Sequence, residues 1–198
     1  MPKPSLRVEH VERTRAALLR AGRRLFAAHG YGGVTTEQIV REARVTRGAL
    51  YHHFRDKREL FRAVADEVAD ELNERIEAAA EAAPDAWSAL MAGLHAFLDG
   101  CLQPAMQRIV ILDGPSVLGW EEWRATDTRH GLGLLTEGLR MTMEAGAIPA
   151  QPAEPLAHLL LGALNEAAMV IARSDDVEAT RAEVGASLER LLGGLRSA

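Results

Sequence analysis

The chain has 198 residues, 47% of them hydrophobic, and a formal net charge of −5 at pH 7. This length is enough for one or two domains with a real core, and a single cysteine, Cys101, excludes an intrachain disulfide and suits a reducing cytoplasm. Because no apolar stretch approaches the roughly 20 residues that span a bilayer, and the N-terminus lacks the apolar stretch of a signal peptide, we expect a cytoplasmic protein without a membrane partner.

The charge is distributed unevenly along the chain. Residues 1–62 contain 14 Lys and Arg against 6 Asp and Glu, whereas residues 63–198 contain 9 and 22. A basic first third joined to an acidic remainder is typical of a nucleic-acid-binding module attached to a second domain. The simpler alternative is a charged surface exposed to solvent, and charge alone does not decide between the two.

Helical periodicity dominates the N-terminal third. A first amphipathic helix is predicted to end at the glycines of "HGYGG" (29–33). Thr35 and Gln38 have the spacing of a capping box, which predicts a short second helix after it. The tight turn "RVT" follows, and Thr46 is in position to cap a third helix. Asp56 can then cap a long fourth helix.

Proline and glycine divide the rest of the chain into further predicted helices. We expect these near 85–101, 120–145, 155–172 and 177–195, with a shorter one that begins at Pro104 and with "DGPSVLG" (113–119) as a loop. The predicted fold class is therefore all-α, with about nine helices.

The predicted organisation has two domains. A basic three-helix domain occupies 1–62, and its long linking helix continues to about 79. A C-terminal helical domain occupies 80–198.

The third predicted helix carries the strongest functional signal. Leu50 and Phe54 fall on one side of it and attach it to its neighbours, whereas Gly48 and His52 face the opposite way. A glycine inside a helix costs about 1 kcal/mol relative to alanine, and close approach of a partner is a common reason for one. A short helix after a tight turn fits the major groove of DNA, which is about 12 Å wide. The pattern therefore predicts a helix-turn-helix.

The sequence gives no sign of a metal or cofactor site. Adjacent histidines on a helix point about 100° apart, which disfavours a two-histidine metal site at His52 and His53. No Cys/His cluster with zinc spacing and no nucleotide-binding glycine motif occurs. We therefore expect neither a metal nor a cofactor.

The segment "LFAAHGYGGVTTEQIVREARVTRGALYHHFRDKRELF" resembles the N-terminal signature of TetR-family transcriptional regulators, over about residues 12–62. The resemblance implies an all-helical homodimer that binds palindromic operator DNA, usually as a repressor that a small ligand releases. It also implies phosphate contacts by Thr36, Tyr51, His53 and Lys57, base-edge contacts by Arg47, Ala49, Tyr51 and His52, close approach at Gly48, and added backbone contacts from Arg7, Arg13 and Arg15. The full set of candidate DNA-binding residues is Thr35, Thr36, Thr46, Arg47, Gly48, Ala49, Tyr51, His52, His53 and Lys57.

The acidic remainder of the chain suits a ligand cavity. Aromatic and methionine side chains lie on adjacent predicted helices, as in many apolar cavities, although such residues more often belong to the core. Polar residues inside apolar stretches need a partner when buried, and a ligand can supply it. The candidate ligand-binding residues are His95, Arg108, Trp123, Asp127 and Asn165.

The helix predicted over 155–172 is apolar around most of its circumference. Together with the final helix, it predicts a four-helix interface between two copies, which would present the DNA-binding helices to two half-sites. The alternative is packing within one chain only. The candidate interface residues are Leu156, Leu160, Ala163, Leu164, Ala167, Ile171, Leu188, Leu191 and Leu195.

These features predict a ligand-responsive transcriptional regulator and not an enzyme. We expect a repressor that binds palindromic double-stranded operator DNA as a homodimer and is released by a small-molecule effector of unknown identity. One alternative is an all-helical small-molecule enzyme or carrier whose basic head only binds anions. Another is a redox sensor that acts through Cys101.

Overall fold

The structure is a computed structural model that describes residues 6–127 and 131–196, without the side chains of residues 6–9 and 126–127. This described part contains ten α-helices and one π-helix and no strand, so the predicted all-α class is confirmed. The helices are α1 Leu6–His29, α2 Thr36–Ala43, α3 Arg47–His53, α4 Lys57–Glu81, α5 Ala86–Gly100, the π-helix Met106–Asp113, α6 Gly114–Leu118, α7 Trp120–Asp127, α8 Gly133–Glu144, α9 Ala153–Ala172 and α10 Val177–Arg196.

The first four helices begin and end close to where the sequence predicts. Gly30 follows α1 with a φ of 69°, a conformation that glycine adopts without strain. The capping box of α2 is present, because Gln38 N donates to Thr35 Oγ1 at 3.2 Å and Thr35 N donates to Gln38 Oε1 at 2.7 Å. Thr46 and Asp56 each accept a backbone N–H three residues further on and cap α3 and α4.

The core of the DNA-binding head, defined here as α1 to α3 and the start of α4, includes residues from later in the chain. Phe26, Leu50 and Phe61 are fully buried there, and Ile109 and Leu118 enter the same hydrophobic cluster. The head therefore packs directly on the segment 106–123.

This segment differs from the sequence prediction. The expected loop over 113–119 is instead the end of the π-helix followed by α6, and α7 and α8 lie within the helix expected over 120–145. Pro115 lies at the start of α6, where a missing N–H leaves no hydrogen bond unmade. Gly119, with a φ of 84°, separates α6 from α7. Glycine and proline in this segment therefore mark the ends of a short helix and not a loop.

The body packs α5 along α4, with α8, α9 and α10 completing the bundle. The side of α9 that faces this bundle includes three residues predicted for the dimer interface. Leu160, Leu164 and Ile171 are at most 5% exposed and belong to the core of their own subunit, so this part of the prediction is corrected. Helical spacing identifies residues that share a side but not which side faces inward.

The remaining predicted interface residues lie closer to the surface. Leu156, Ala167, Leu188 and Leu195 are half-buried against the same core, and Ala163 is exposed. Leu191 is 60% exposed.

The opposite side of α9 forms an exposed strip of Leu159, Gly162, Ala163 and Val170, in which Leu159 is 73% exposed. By length and composition alone, α9 could cross a membrane, contrary to the expectation from the sequence. A core helix of a soluble protein passes the same test, and α9 has one side in the core.

Candidate DNA interface and ligand cavity

The two sides of α3 differ in burial as the sequence pattern predicts. Leu50 and Phe54 are at most 2% exposed, whereas Gly48 and His52 lie on the exposed side. A Cβ built on Gly48 would meet only Thr46 Oγ1, at 3.9 Å. Packing within the subunit therefore does not require glycine at this position, and the exposed backbone is open to a partner.

The exposed side of α3 presents a cation and an aromatic ring together. The Arg47 guanidinium lies 5.6 Å from the centre of the Tyr51 ring and pairs with Glu37 of α2, with Arg47 Nη1 and Glu37 Oε1 3.3 Å apart. All three side chains are exposed. An exposed pair of this kind is worth little, so Arg47 can exchange Glu37 for a base edge or a phosphate.

His53 and Lys57 are two predicted phosphate ligands with ionisable side chains that lie partly inside the protein. Burial, with His52 and Arg15 nearby, lowers the pKa of His53, so the ring is a neutral donor at pH 7. Burial also lowers the pKa of Lys57. Lys57 Nζ donates to the carbonyl oxygens of Tyr31 (2.9 Å) and Val34 (2.8 Å). It therefore fixes the turn before α2, and the same ammonium lies 4.0 Å from the centre of the Tyr31 ring.

The other predicted contacts surround these side chains. Thr35 and Thr46 are exposed, and their hydroxyls accept capping hydrogen bonds, while Thr36 and Ala49 are half-buried. Arg13 and Arg15 are exposed on α1, and the side chain of Arg7 lies outside the described residues.

A cavity of about 490 Å³ lies in the body between α4, α5, α8, α9 and the π-helix. Its walls are mainly alanine, leucine, isoleucine and methionine side chains. Of the predicted ligand residues, Trp123 and Asn165 line it. The Trp123 indole N–H donates to the Val110 carbonyl at 2.9 Å, which aligns the ring with the π-helix. The side chain of Asp127 lies outside the described residues.

Two predicted ligand residues lie elsewhere. His95 Nε2 is 2.8 Å from Glu189 Oε1, and His95 Nδ1 is 3.2 Å from a guanidinium nitrogen of Arg181, so the ring joins α5 to α10. Arg108 is exposed and pairs with Asp113 at 3.4 Å. Neither lines the cavity, and each of these polar residues has a partner within the protein.

The sequence analysis missed the carboxylates that line the cavity, Glu77, Glu81 and Glu137. Glu77 and Glu81 are one helical turn apart near the end of α4, in a stretch of sequence without a lysine or arginine four residues away on the C-terminal side. Two glutamates four residues apart on one side of a helix, without a basic partner, are the sequence feature that could have identified them.

Polar contacts join the cavity wall to the head. Asp113 Oδ2 accepts the Tyr31 backbone N–H at 2.7 Å. Arg58 of α4 donates to the carbonyl oxygens of Val117 (3.0 Å) and Leu118 (2.7 Å). The segment 106–123 therefore contacts the cavity on one side and the DNA-binding head on the other.

Cys101 is fully buried, and burial raises the pKa of its thiol to about 12. A thiol that remains protonated at neutral pH is a poor nucleophile. This environment does not favour the redox-sensor alternative.

A capped helix, a tight turn and an exposed second helix, attached to a helical body with an apolar cavity, define a helix-turn-helix DNA-binding protein with a separate ligand-binding body. Two family models match the chain in these two parts. The model described as bacterial regulatory proteins of the tetR family matches residues 18–64, and the model of the tetracyclin repressor-like C-terminal domain matches residues 87–195. The chain belongs to the TetR family and is a ligand-responsive, DNA-binding transcriptional regulator.

Individual relatives agree over different lengths. A TetR-family transcriptional regulator from Pectobacterium atrosepticum is 36% identical, with a TM-score of 0.85 over 94% of this chain and 96% of that one. The transposon Tn10 TetC protein of Escherichia coli is 26% identical over 154 residues, 78% of each chain. An HTH-type transcriptional repressor of Mycobacterium tuberculosis is 42% identical over 67 residues, 34% of this chain and 35% of that protein.

Proposed function

We propose that two copies of this chain bind a palindromic operator in the bacterial cytoplasm and repress transcription until a small apolar effector enters the cavity. The observation that carries the proposal is the exposed side of α3, where Arg47, Gly48, Tyr51 and His52 project away from a buried Leu50. Phosphate contacts would position the head, and Arg47 and His52 would read base edges.

The test is binding to duplex DNA selected by the wild-type protein from a random pool. Arg47→Ala and His52→Ala are expected to lose sequence preference at specific positions, each by about 1–3 kcal/mol of discrimination. Arg173→Ala and His29→Ala remove the same groups from exposed positions outside α3 and serve as controls. Unchanged selectivity in both α3 variants would reject this assignment of the DNA-reading surface.

The dimer interface that we propose is the exposed strip of α9, Leu159, Gly162, Ala163 and Val170, together with Leu191 of α10. Its small residues permit close approach of helices, and a soluble monomer gains nothing from exposing Leu159 at 73%. Leu159→Glu is expected to shift the mass measured by sedimentation from dimer to monomer. Trp120→Glu, at an exposed apolar position on α7, is the control. A dimer unaffected by Leu159→Glu would reject this interface.

The segment 106–123 is the route that we propose between effector and DNA. Val110 and Trp123 line the cavity, while Asp113 holds the backbone of Tyr31 in the head. A π-helix has a wider turn than an α-helix and is frequently found at functional sites. An effector that binds one arrangement of this segment better than another would shift the head with it.

Asp113→Ala separates this route from effector binding itself. For any compound that releases the wild-type protein from DNA, the variant is expected to bind the compound with unchanged affinity and to need more of it for release. Equal release in the two proteins would place the coupling elsewhere, for example along α4.

Salt dependence distinguishes a regulator from an enzyme or carrier with an anion-binding head. A regulator is expected to lose affinity steeply as salt rises while it retains a sequence preference. Salt-sensitive binding without any preference, together with turnover of a metabolite, would favour the alternative.

A further inference from the structure

The charge around the cavity restricts the chemistry of the effector, and this inference rests on the proposed effector role of the cavity. The volume of about 490 Å³ is in the range of sites for small organic ligands. Leu90, Phe97, Leu161 and Leu164 contribute to an apolar interior. The body of a ligand must therefore be apolar, and its polar group decides specificity.

The ionisable side chains that line the cavity are all carboxylates within the described part of the chain. They are Glu77 and Glu81 of α4 and Glu137 of α8, and no lysine, arginine or histidine is among the described lining residues. Glu137 already forms an ion pair, because its Oε2 accepts a hydrogen bond from Arg140 at 2.6 Å. The two carboxylates of α4 have no such partner among the described residues.

Glu77 and Glu81 lie at an unfavourable end of their helix. The C-terminal end of a helix carries a partial negative charge and favours cations, yet the last turn of α4 contains no basic residue. Neither carboxylate forms an ion pair or a side-chain hydrogen bond with another residue of the described ranges. Both residues are exposed, so water solvates their carboxylates, and neither has a protein cation beside it in these ranges.

A cation on a ligand in the cavity would gain the favourable end of a helix and two carboxylates that no cation of the described chain occupies. We propose that the effector is an apolar cation, an amine or quaternary ammonium on a hydrocarbon body. The hydrocarbon part lies among the leucines of the cavity, and the positive group lies beside Glu77 and Glu81. An anionic ligand of the same shape would bring its charge towards like charges.

Three probes with the same ten-carbon chain test the charge preference: decyltrimethylammonium, decanol and decyl sulfate. The two ionic probes are used below their micelle concentrations and decanol below its solubility limit. Affinity is measured by calorimetry and DNA release by fluorescence anisotropy. The expected order of affinity is cation, then neutral alcohol, then anion. In Glu77→Gln/Glu81→Gln, the affinity for the cation is expected to fall by about 3- to 10-fold, in line with exposed charge pairs, whereas the affinity for decanol stays the same.

The control variant removes the same charge outside the cavity. Glu74→Gln/Glu178→Gln changes two exposed carboxylates that do not line the cavity, and it is expected to bind all three probes as the wild type does. If the control variant loses as much affinity for the cation as the cavity variant does, the loss is due to the total charge of the protein, and the proposal is overturned.

The remaining outcomes separate the proposal from the function on which it rests. Binding of decanol or decyl sulfate at least as tight as that of the cation overturns the charge preference and leaves the cavity as an effector site. If none of the probes binds, the effector role of the cavity itself fails.

Discussion

The role of Gly48 can be tested by a change whose effects on folding and on DNA binding have opposite signs. Gly48→Ala adds a methyl group at an exposed position of α3, where the nearest atom, Thr46 Oγ1, would be 3.9 Å away. Alanine is favoured over glycine by about 1 kcal/mol in a helix interior. Gly48 is the second residue of a seven-residue helix, so we expect about half of that gain.

For a protein of this size, 1 kcal/mol changes Tm by about 2–4 °C. Gly48→Ala is therefore expected to raise Tm by about 1–2 °C. DNA binding should weaken, because a methyl group inserted into a packed interface costs about 1–3 kcal/mol, or about 5- to 150-fold in Kd.

The two measurements are thermal unfolding by circular dichroism and fluorescence anisotropy on the selected DNA. Gly133→Ala is the matched control, because Gly133 is exposed at the start of α8 with no neighbour within 4 Å of a built Cβ. It is expected to stabilise the protein slightly without any effect on DNA. Undiminished DNA binding by Gly48→Ala would show that the α3 backbone does not approach the duplex, and a lower Tm would show that the glycine serves the fold.

Three further predictions concern stability and reactivity. Thr46→Ala removes the cap of α3 and is expected to lower the free energy of unfolding by about 1 kcal/mol in a urea titration, a loss that Thr46→Ser should largely avoid; equal losses in both would mean that the hydroxyl is not the cause. Hydrogen bonds from Arg23 lower the pKa of Glu71 from its usual 4.5, so this pair stabilises the fold above that pH and ceases to do so as the pH falls through the lowered pKa; Glu71→Gln should reduce Tm at pH 7, and a difference that persisted in strong acid would contradict the ion pair. Because the pKa of the Cys101 thiol is about 12, it is expected to react with Ellman's reagent at pH 8 only after unfolding in guanidinium, and rapid reaction in the native protein would reveal an accessible thiolate.

The segment 106–123 forms part of the cavity wall and also packs in the core of the DNA-binding head. Ile109 and Leu118 belong to the hydrophobic core of the head, while Val110 and Ile111 of the same segment line the cavity. Neighbouring residues thus contact the head and the effector space. A shift of this segment would therefore displace residues in the cavity wall and in the core of the head together, because close-packed interiors transmit displacements.

The local signals in the sequence determined the helix-turn-helix. Thr35, Thr46 and Asp56 cap helices through hydrogen bonds that reach only three residues along the chain, and the exposed side of α3 follows from its periodicity. The resemblance to the TetR family rests on this same stretch. These features depend on neighbours in sequence, so a single sequence is enough to predict them.

Only the tertiary structure decided how the remaining surfaces are used. The periodicity of α9 predicts that Leu160 and Leu164 share a side, but the packing of α8 and α10 decided that this side is the subunit core and that Leu159 faces outward. In the same way, the partners of His95 are Arg181 and Glu189, more than 80 residues away. Side-chain roles that depend on contacts between distant helices are not contained in local spacing, and these are the roles that the sequence alone left undetermined.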